Sequence, residues 1–304
     1  MITPELQNWA AQGHFLSFPL FNHKIFYQDY GSPESSPEQT LLLLHGFPES
    51  SYSFRKVIVG LQTHFTRIVV FDMIGYGLSD KPVKDYTYSL FEQADLALWV
   101  WQQLGVKGGH LLAHDMGDSV TTELLTRYVH GLLPSSFSAG FQSVTFTNGS
   151  MVLGFAKLRL TQKLLLTRIG PLLGKLFNFR MFQQQVRSAH GNNGLSDEDV
   201  AMLWQNVLLQ DGQHKTYLTI RYLQDRMRFE KSRWLPALTL AQHQLPLHIC
   251  WGDADAVANI RIARYLKEKI CPKATFTVMP DVGHFCQISN PDIWLKSVLA
   301  FYKS

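Results

Sequence analysis

Short apolar runs that end in a polar residue recur along the chain, and they constrain its fold more than any other feature. The four in the first half are TLLLLHG (40–46), RIVVFD (67–72), GHLLAHD (109–115) and SVTFTN (143–148). Compact runs of this kind are typical of strands that are buried on both faces. Helical patterns with apolar positions three and four residues apart occupy 89–105 and 117–130. Strands that alternate with helices predict an α/β fold with a largely parallel sheet.

The remaining sequence divides into two kinds. Two further strands are predicted within 16–31, and two more within 245–253 and 274–280, with a helix closing the chain. Residues 150–236 break the alternation, because they contain apolar and basic helical patterns, a glycine-rich loop and no clear strand. We therefore predict one core domain formed by residues 1–149 and 237–304, with a helical domain of residues 150–236 inserted between two strands.

Charge is distributed unevenly along the 304 residues. The net charge is +4, but residues 150–235 contain 13 Lys and Arg against 6 Asp and Glu, a net +7, while the rest carries −3. A balance of this size does not indicate a nucleic-acid-binding protein, and we expect no nucleic-acid partner. The basic segment is either an ordinary solvated face or a surface that favours an anionic substrate or a membrane.

Cysteine content and the N-terminus bear on location. Three cysteines are an odd number and too few for a disulfide framework, and they fit a reducing compartment. The opening MITPELQNWA lacks the basic and apolar regions of a secretory signal, and no apolar run approaches the roughly 20 residues of a membrane span. We expect a cytoplasmic protein without a transmembrane segment, either a monomer or a homodimer.

The stretch LLAHDMGDSV (111–120) predicts a strand, a tight turn and a helix, with Asp115 at the turn. Ala113 and Gly117 give the small-x-nucleophile-x-small pattern of a nucleophile elbow, which needs small neighbours because the chain turns so sharply. The same aspartate could instead simply cap the following helix. The pattern alone leaves these two interpretations open.

Three other segments favour the elbow. LLLLHGFPES ends a strand in His-Gly-Phe-Pro, so the N–H groups of Phe47 and Met116 are the expected oxyanion hole. ICWGDADAVA offers Asp255, preferred to Asp253, as the acid that orients a histidine. MPDVGHFCQ offers His284 as the general base. The chain order Asp115, Asp255, His284 is the nucleophile–acid–histidine order of such hydrolases.

A metal site is the alternative use of some of the same residues. His45, His114, Asp115 and His284 could gather around one point, but no His-x-x-x-His or Cys-x-x-Cys pairing supports it. We predict neither a metal nor a cofactor.

These motifs resemble the α/β-hydrolase fold, in the branch that contains epoxide hydrolases and haloalkane dehalogenases. The motifs HGFP, DMIGYGLSDKP, AHDMGD, WGDAD and GHF occur in the order of that branch. A closer resemblance, through HGFPESSYSF, FTNGSM and RYLQDRMRFEKSRW, is to the group of mesoderm-specific transcript proteins and their bacterial relatives. The resemblance implies an eight-stranded, mostly parallel sheet flanked by helices, with a helical cap inserted after strand 6.

The resemblance also implies a reaction. An aspartate nucleophile attacks a saturated carbon and forms an alkyl ester, which water activated by His284 and Asp255 then hydrolyses. The expected reaction is conversion of an epoxide to a diol, on a small apolar organic substrate. The alternatives are a haloalkane dehalogenase, which the absence of tryptophan after Asp115 disfavours, and a non-catalytic ligand-binding protein. Candidate contacts for substrate or leaving group are Tyr222, Tyr217, His114 and Trp204.

Overall fold

The computed structural model describes residues 3–19, 21–156, 160–192 and 194–303. Its centre is a single eight-stranded sheet in the order β1-β2-β4-β3-β5-β6-β7-β8. The strands are β1 His14–Phe18, β2 His23–Gly31, β3 Thr40–Leu44, β4 Arg67–Phe71, β5 Gly108–His114, β6 Gly140–Thr147, β7 Leu247–Gly252 and β8 Thr275–Met279. β1 and β2 are antiparallel to their neighbours, and β3 to β8 are parallel to one another. The predicted mostly parallel, eight-stranded α/β-hydrolase sheet is confirmed.

Fourteen α-helices lie among the described residues outside the sheet. They are α1 Pro4–Ala11, α2 Ile58–Leu61, α3 Leu90–Gln103, α4 Met116–Val129, α5 Leu160–Leu165, α6 Gly170–Leu176, α7 Phe179–His190, α8 Asp197–Leu208, α9 Thr216–Thr219, α10 Tyr222–Phe229, α11 Leu235–Ala241, α12 Ile260–Tyr265, α13 Cys286–Ser289 and α14 Pro291–Tyr302. A π-helical turn at Glu230–Trp234 joins α10 to α11.

Burial follows the sequence pattern of the strands. Every residue of β3, β4 and β7 is buried, whereas the edge strand β1 has none in the buried class. The central strands can be apolar throughout because helices cover both faces of the sheet. One apolar cluster includes Leu42, Leu111 and Val144, and a second, on the opposite side of the strands, includes Leu41, Leu43 and Leu112.

The strand order places the loops after β3 and β5 together. β3 pairs with β4 on one side and with β5 on the other, so the connections that follow β3 and β5 leave the sheet in opposite directions. A crevice opens at such a point, beyond the carboxyl ends of the strands. Residues 45–48 follow β3 and Asp115 follows β5, so both predicted motifs lie at this crevice.

The connection between β6 and β7 is helical in its described part and includes α5 to α11. α11 packs against α4 of the core, whereas α5 to α9 pack largely on one another. Across the described residues, no helix combines the length and the apolar character that a membrane span requires.

Candidate active site

Asp115 lies at the sharp turn between β5 and α4, with φ 48° and ψ −109°. This positive-φ backbone is strained for a residue with a side chain, and strain of this kind persists where the surrounding structure holds it. The small neighbours are required by close contact: a Cβ on Gly117 would lie 2.5 Å from the Leu44 carbonyl oxygen, and one on Gly46 would lie 2.7 Å from the Asp115 Cβ. Steric contact therefore requires glycine at positions 46 and 117.

The two amides expected to form an oxyanion hole lie beside this carboxylate. The Phe47 N–H donates to Asp115 Oδ2 over 2.9 Å, and Met116 begins α4 directly after the turn. The Phe47–Pro48 peptide bond is cis. The pKa of Asp115 is raised overall, because burial outweighs the lowering effect of the charges of His284 and His114 and of the Phe47 N–H.

His284 stands between two carboxylates. Its Nδ1 is 2.7 Å from Asp255 Oδ2 and its Nε2 is 3.8 Å from Asp115 Oδ1. A carboxylate only accepts, so Nδ1 carries a proton and Nε2 is the atom presented to Asp115. Burial lowers the pKa of His284, but the charge and hydrogen bond of Asp255 and the charge of Asp115 outweigh it and raise the pKa overall.

Asp255 is held by donors on both oxygens. Its Oδ1 accepts the N–H groups of Val257 and Ala258 at 2.7 and 2.8 Å, and its Oδ2 accepts Asn148 Nδ2 at 2.8 Å as well as the His284 proton. Asn148 is fixed in turn, because its Oδ1 accepts the Gly252 N–H at 3.0 Å. Asp253 takes no part; its carboxylate accepts the N–H of Asp281.

A second histidine–carboxylate pair lies beside the first. His114 Nε2 is 3.4 Å from Glu49 Oε1, and neither side chain is accessible to solvent. The Thr147 carbonyl accepts from His114 Nδ1 at 3.0 Å, so that nitrogen is protonated as well. Burial lowers the pKa of His114, but the Glu49 carboxylate raises it, with a net value of about 9. His114 is therefore a buried cation and does not line the pocket.

An apolar pocket opens above Asp115 and His284. Its described lining residues are Phe47, Pro48, Asp115, Ser150, Gln162, Leu165, Phe177, Phe182, Gln185, Val186, Ala189, Val207, Thr216, Ile220, Tyr222, Val257, His284 and Phe285. Most walls come from the segment between β6 and β7, and the floor comes from the core. A few polar groups that converge in a mainly apolar cleft are typical of a small-molecule site.

The sequence matches the alpha/beta hydrolase fold family over residues 39–291. This chain belongs to the α/β-hydrolase fold family. The human mesoderm-specific transcript homolog protein is 32% identical, with 100% of this chain and 89% of that protein covered. LipZ of Mycobacterium tuberculosis strain H37Rv is 35% identical, with 99% of each covered. The predicted resemblance to this group is confirmed.

Solved structures show the same α/β-hydrolase fold. The Cif epoxide hydrolase from Acinetobacter nosocomialis is 16% identical with a TM-score of 0.74, covering 95% of this chain and 88% of that one. A loop variant of the haloalkane dehalogenase DbeA from Bradyrhizobium elkanii is 20% identical with a TM-score of 0.70, covering 96% of each. At these identities the likeness concerns the fold. The family assignment is what supports a hydrolase, as predicted.

The structure of this α/β-hydrolase separates the predicted substrate contacts. Tyr222 is 4% exposed and lines the pocket with its ring 6.0 Å from that of Phe47. Tyr217 lies instead at a separate cleft beside Arg221. Trp204 packs against Phe182, with ring centroids 5.1 Å apart, and so supports the pocket wall from behind.

Several residues of the site went unnoticed in the sequence. Glu49 follows His-Gly-Phe-Pro in what reads as a polar loop, yet it is buried, and its Oε2 accepts from Gln287 Nε2 at 3.0 Å. Tyr76 is also buried; its hydroxyl donates to the Thr219 carbonyl at 3.0 Å and lies 3.1 Å from Met116 Sδ. Only the position of Glu49 next to a recognised motif could have singled it out. Across the described residues, no group of three or more His, Cys, Asp or Glu side chains is arranged to hold a metal ion.

Proposed function

We propose that this hydrolase opens an epoxide to a diol through an ester formed on Asp115. One observation carries the proposal: an aspartate occupies the elbow, with one oxygen held by the Phe47 N–H and the other facing His284 Nε2 beside the pocket. A carboxylate needs no deprotonation to attack, which suits displacement at a saturated carbon. Activation of a serine-like hydroxyl is not required.

In the first step Asp115 Oδ1 attacks one epoxide carbon, and the bond from that carbon to the ring oxygen breaks. The released oxygen takes a proton from Tyr222, the tyrosine among the described pocket-lining residues. Burial raises the pKa of Tyr222 well above its ordinary value, and the charge of Asp115 adds to this effect. Tyr222 therefore stays protonated at neutral pH and can serve as donor.

In the second step His284 Nε2 takes a proton from water, and the hydroxide attacks the Asp115 carboxyl carbon. The oxyanion that forms is stabilised by the N–H groups of Phe47 and Met116. Collapse expels the diol oxygen as an alkoxide, which takes the proton of the regenerated carboxylic acid. The proton held by His284 then restores Tyr222, so the sum is one water added to one epoxide.

Formation of the ester prepares His284 for this step. The negative charge of Asp115 helps to raise the pKa of His284 in the free enzyme. Esterification removes that charge, so the pKa of His284 falls at the stage where it must be unprotonated. Burial, which lowers the same pKa, acts in the same direction.

Residues 150–236 are proposed as a cap domain over the core of 1–149 and 237–304. The support is the pocket lining, where Gln162, Phe182 and Tyr222 of α5, α7 and α10 line the same pocket as Asp115. The apolar walls suit a small apolar organic substrate. Three buried free cysteines fit the proposed cytoplasmic location.

The experiment is a turnover screen of aliphatic, aromatic and fatty-acid epoxides together with haloalkanes, with diol and halide both measured. Asp115→Ala should abolish diol formation and His284→Gln should lower it strongly, whereas Asp292→Ala and His130→Gln, at exposed positions, should leave it unchanged. Halide release instead would favour dehalogenation, which needs halide donors; among the described lining residues there is no tryptophan. Tight binding without product would favour a ligand-binding protein.

A single turnover in ¹⁸O-water distinguishes the ester route from direct attack of water. On the ester route the first label enters the Asp115 carboxylate, because hydroxide attacks that carbon, and the peptide containing Asp115 becomes heavier. Label that appears in the diol while the peptide stays unlabelled would overturn the nucleophile assignment.

A further inference from the structure

Exposed apolar side chains are concentrated on one part of the helical segment. Of the sixteen large apolar side chains that are well exposed among the described residues, six fall within residues 160–181. We call these six the α5–α7 surface: Leu160, Ile169, Leu172, Leu176, Phe179 and Met181. The other ten are scattered over the rest of the chain. A concentration of this kind marks an interaction site.

The packing of helix α6 explains why its apolar side chains are exposed. Its two glycines face inward: a Cβ on Gly170 would lie 2.1 Å from the Leu165 carbonyl oxygen, and one on Gly174 would lie 2.6 Å from the His214 carbonyl oxygen. Leu172 and Leu176 lie on the other face and are 61% and 62% exposed. A water-facing helix normally has the opposite arrangement. The leucines cannot turn inward, because backbone already occupies that side.

The same segment is basic and free of acids. Lys163, Arg168, Lys175 and Arg180 are all exposed. The sequence contains no Asp or Glu between Glu123 and Asp197. Cations interspersed with exposed leucine and phenylalanine match the chemistry of an anionic lipid surface, where headgroups meet the cations and acyl chains meet the apolar side chains.

The surface also adjoins the pocket. Gln162 and Leu165 of α5 and Phe182 of α7 line it, and Gln185 of α7 is shared between the pocket and an outer groove. Leu160 and Met181 line that outer groove, so apolar residues of the surface reach the region of the pocket mouth.

We propose that the α5–α7 surface binds the surface of an anionic lipid bilayer. A second copy of the chain fits this surface less well, because a two-fold contact would oppose the same four cations without any acid between them. The binding does not depend on the reaction proposed above. If that reaction is right, an apolar substrate dissolved in the lipid would reach the pocket directly.

The test is cosedimentation of the full chain with vesicles of phosphatidylglycerol and phosphatidylcholine, and with vesicles of phosphatidylcholine alone. We expect binding to the anionic vesicles that weakens as salt increases. Arg168→Gln/Lys175→Gln should weaken binding about 25-fold, since each cation near an anionic surface contributes roughly fivefold. Leu172→Gln/Leu176→Gln should weaken it as well, and none of these four side chains lines the pocket.

Matched controls use similar side chains elsewhere. Lys84→Gln/Lys107→Gln removes two exposed cations, and Val59→Gln/Leu132→Gln removes two exposed apolar side chains. Both control variants should bind as the unmodified chain does. No binding to anionic vesicles, or equal losses in the controls, would overturn the proposal. Self-association in sedimentation velocity that Leu172→Gln/Leu176→Gln abolishes, without vesicle binding, would assign the surface to a second copy instead.

Discussion

His284 and His114 lie side by side, with ring centroids 5.3 Å apart, and each faces a buried carboxylate, yet their surroundings suit them to opposite tasks. In both rings Nδ1 is committed to an acceptor, Asp255 for one and the Thr147 carbonyl for the other. The difference lies at Nε2. That of His114 faces Glu49 inside the protein, whereas that of His284 faces Asp115 at the pocket.

This difference decides which histidine can act as a base. Glu49 keeps its charge, because burial, which raises its pKa, is outweighed mainly by the charge and the hydrogen bond of His114. His114 therefore remains a cation. Asp115 would lose its charge on esterification, and only His284 is then released to accept a proton. The same two side-chain types thus form a permanent cation where the carboxylate cannot react, as at Glu49. They form a base where the carboxylate can react and lose its charge, as at Asp115.

The largest expected effect comes from removing the proposed base. His284→Gln should lower turnover by about 10²–10⁴-fold, because no group remains to activate water. Asp115 can still attack, so the alkyl ester should accumulate and appear in the intact mass of the protein. Unimpaired ester hydrolysis in this variant would show that another group supplies the base. His130→Gln, at an exposed position, is the control.

The second prediction concerns variants that break the pair of His114 and Glu49. His114→Gln leaves Glu49 as a buried charge without its partner, and we expect the free energy of unfolding to fall by about 3–5 kcal/mol. Glu49→Gln should cost less, because His114 can lose its proton. Urea unfolding measures both, and the double variant should lose less than the sum of the two. Equal losses in the two single variants would mean that the pair is not charged.

The third prediction uses the pH dependence of the free energy of unfolding to test whether His114 is a cation. The pKa of His114 is raised to about 9, above the value of about 6.5 for an unfolded histidine. Its stabilisation is therefore complete below about pH 6.5 and is lost as pH rises to about 9, by on the order of 1–3 kcal/mol. In Glu49→Gln the charge and the hydrogen bond that oppose burial most strongly are gone, and only Asp115 and Asp118 still raise the pKa of His114, so this loss should shrink. Parallel pH profiles of unfolding for the two proteins would contradict the assignment.

The smallest expected effect concerns Asn148, a positioning residue that acts through Asp255. Removing its hydrogen bond should reduce turnover by about fivefold, or about 1 kcal/mol, and move the acid limb of the pH–rate profile upward. The upward sign follows because Asp255, with one donor fewer, attracts the His284 proton more strongly. Asn148→Gly is the suitable variant, since φ is 53° at this position and an alanine would add strain. A lower rate with an unshifted acid limb would indicate a purely structural role.

Local features of the sequence determined the sheet and the order of the proposed catalytic groups. Buried strands must be apolar throughout, and the turn at Asp115 needs small neighbours, so both leave a signature within a few residues. The positions of Phe47, Met116 and His284 followed from the strand ends that carry them. Each of these expectations depends on residues that are close together in the sequence.

Tertiary structure alone decided the contacts between distant segments. Tyr222 and Tyr217 are the first and second candidates for a proton donor in the sequence. They belong to separate short helices, α10 and α9, and only the packing of those helices decides which of them lines the pocket. The pairing of Glu49 with His114 depends on the meeting of the loop after β3 with the end of β5. The sequence determined which residues end the strands. Packing decided which of these residues form charged pairs, because electrostatic partners are set by distance in space rather than by separation along the chain.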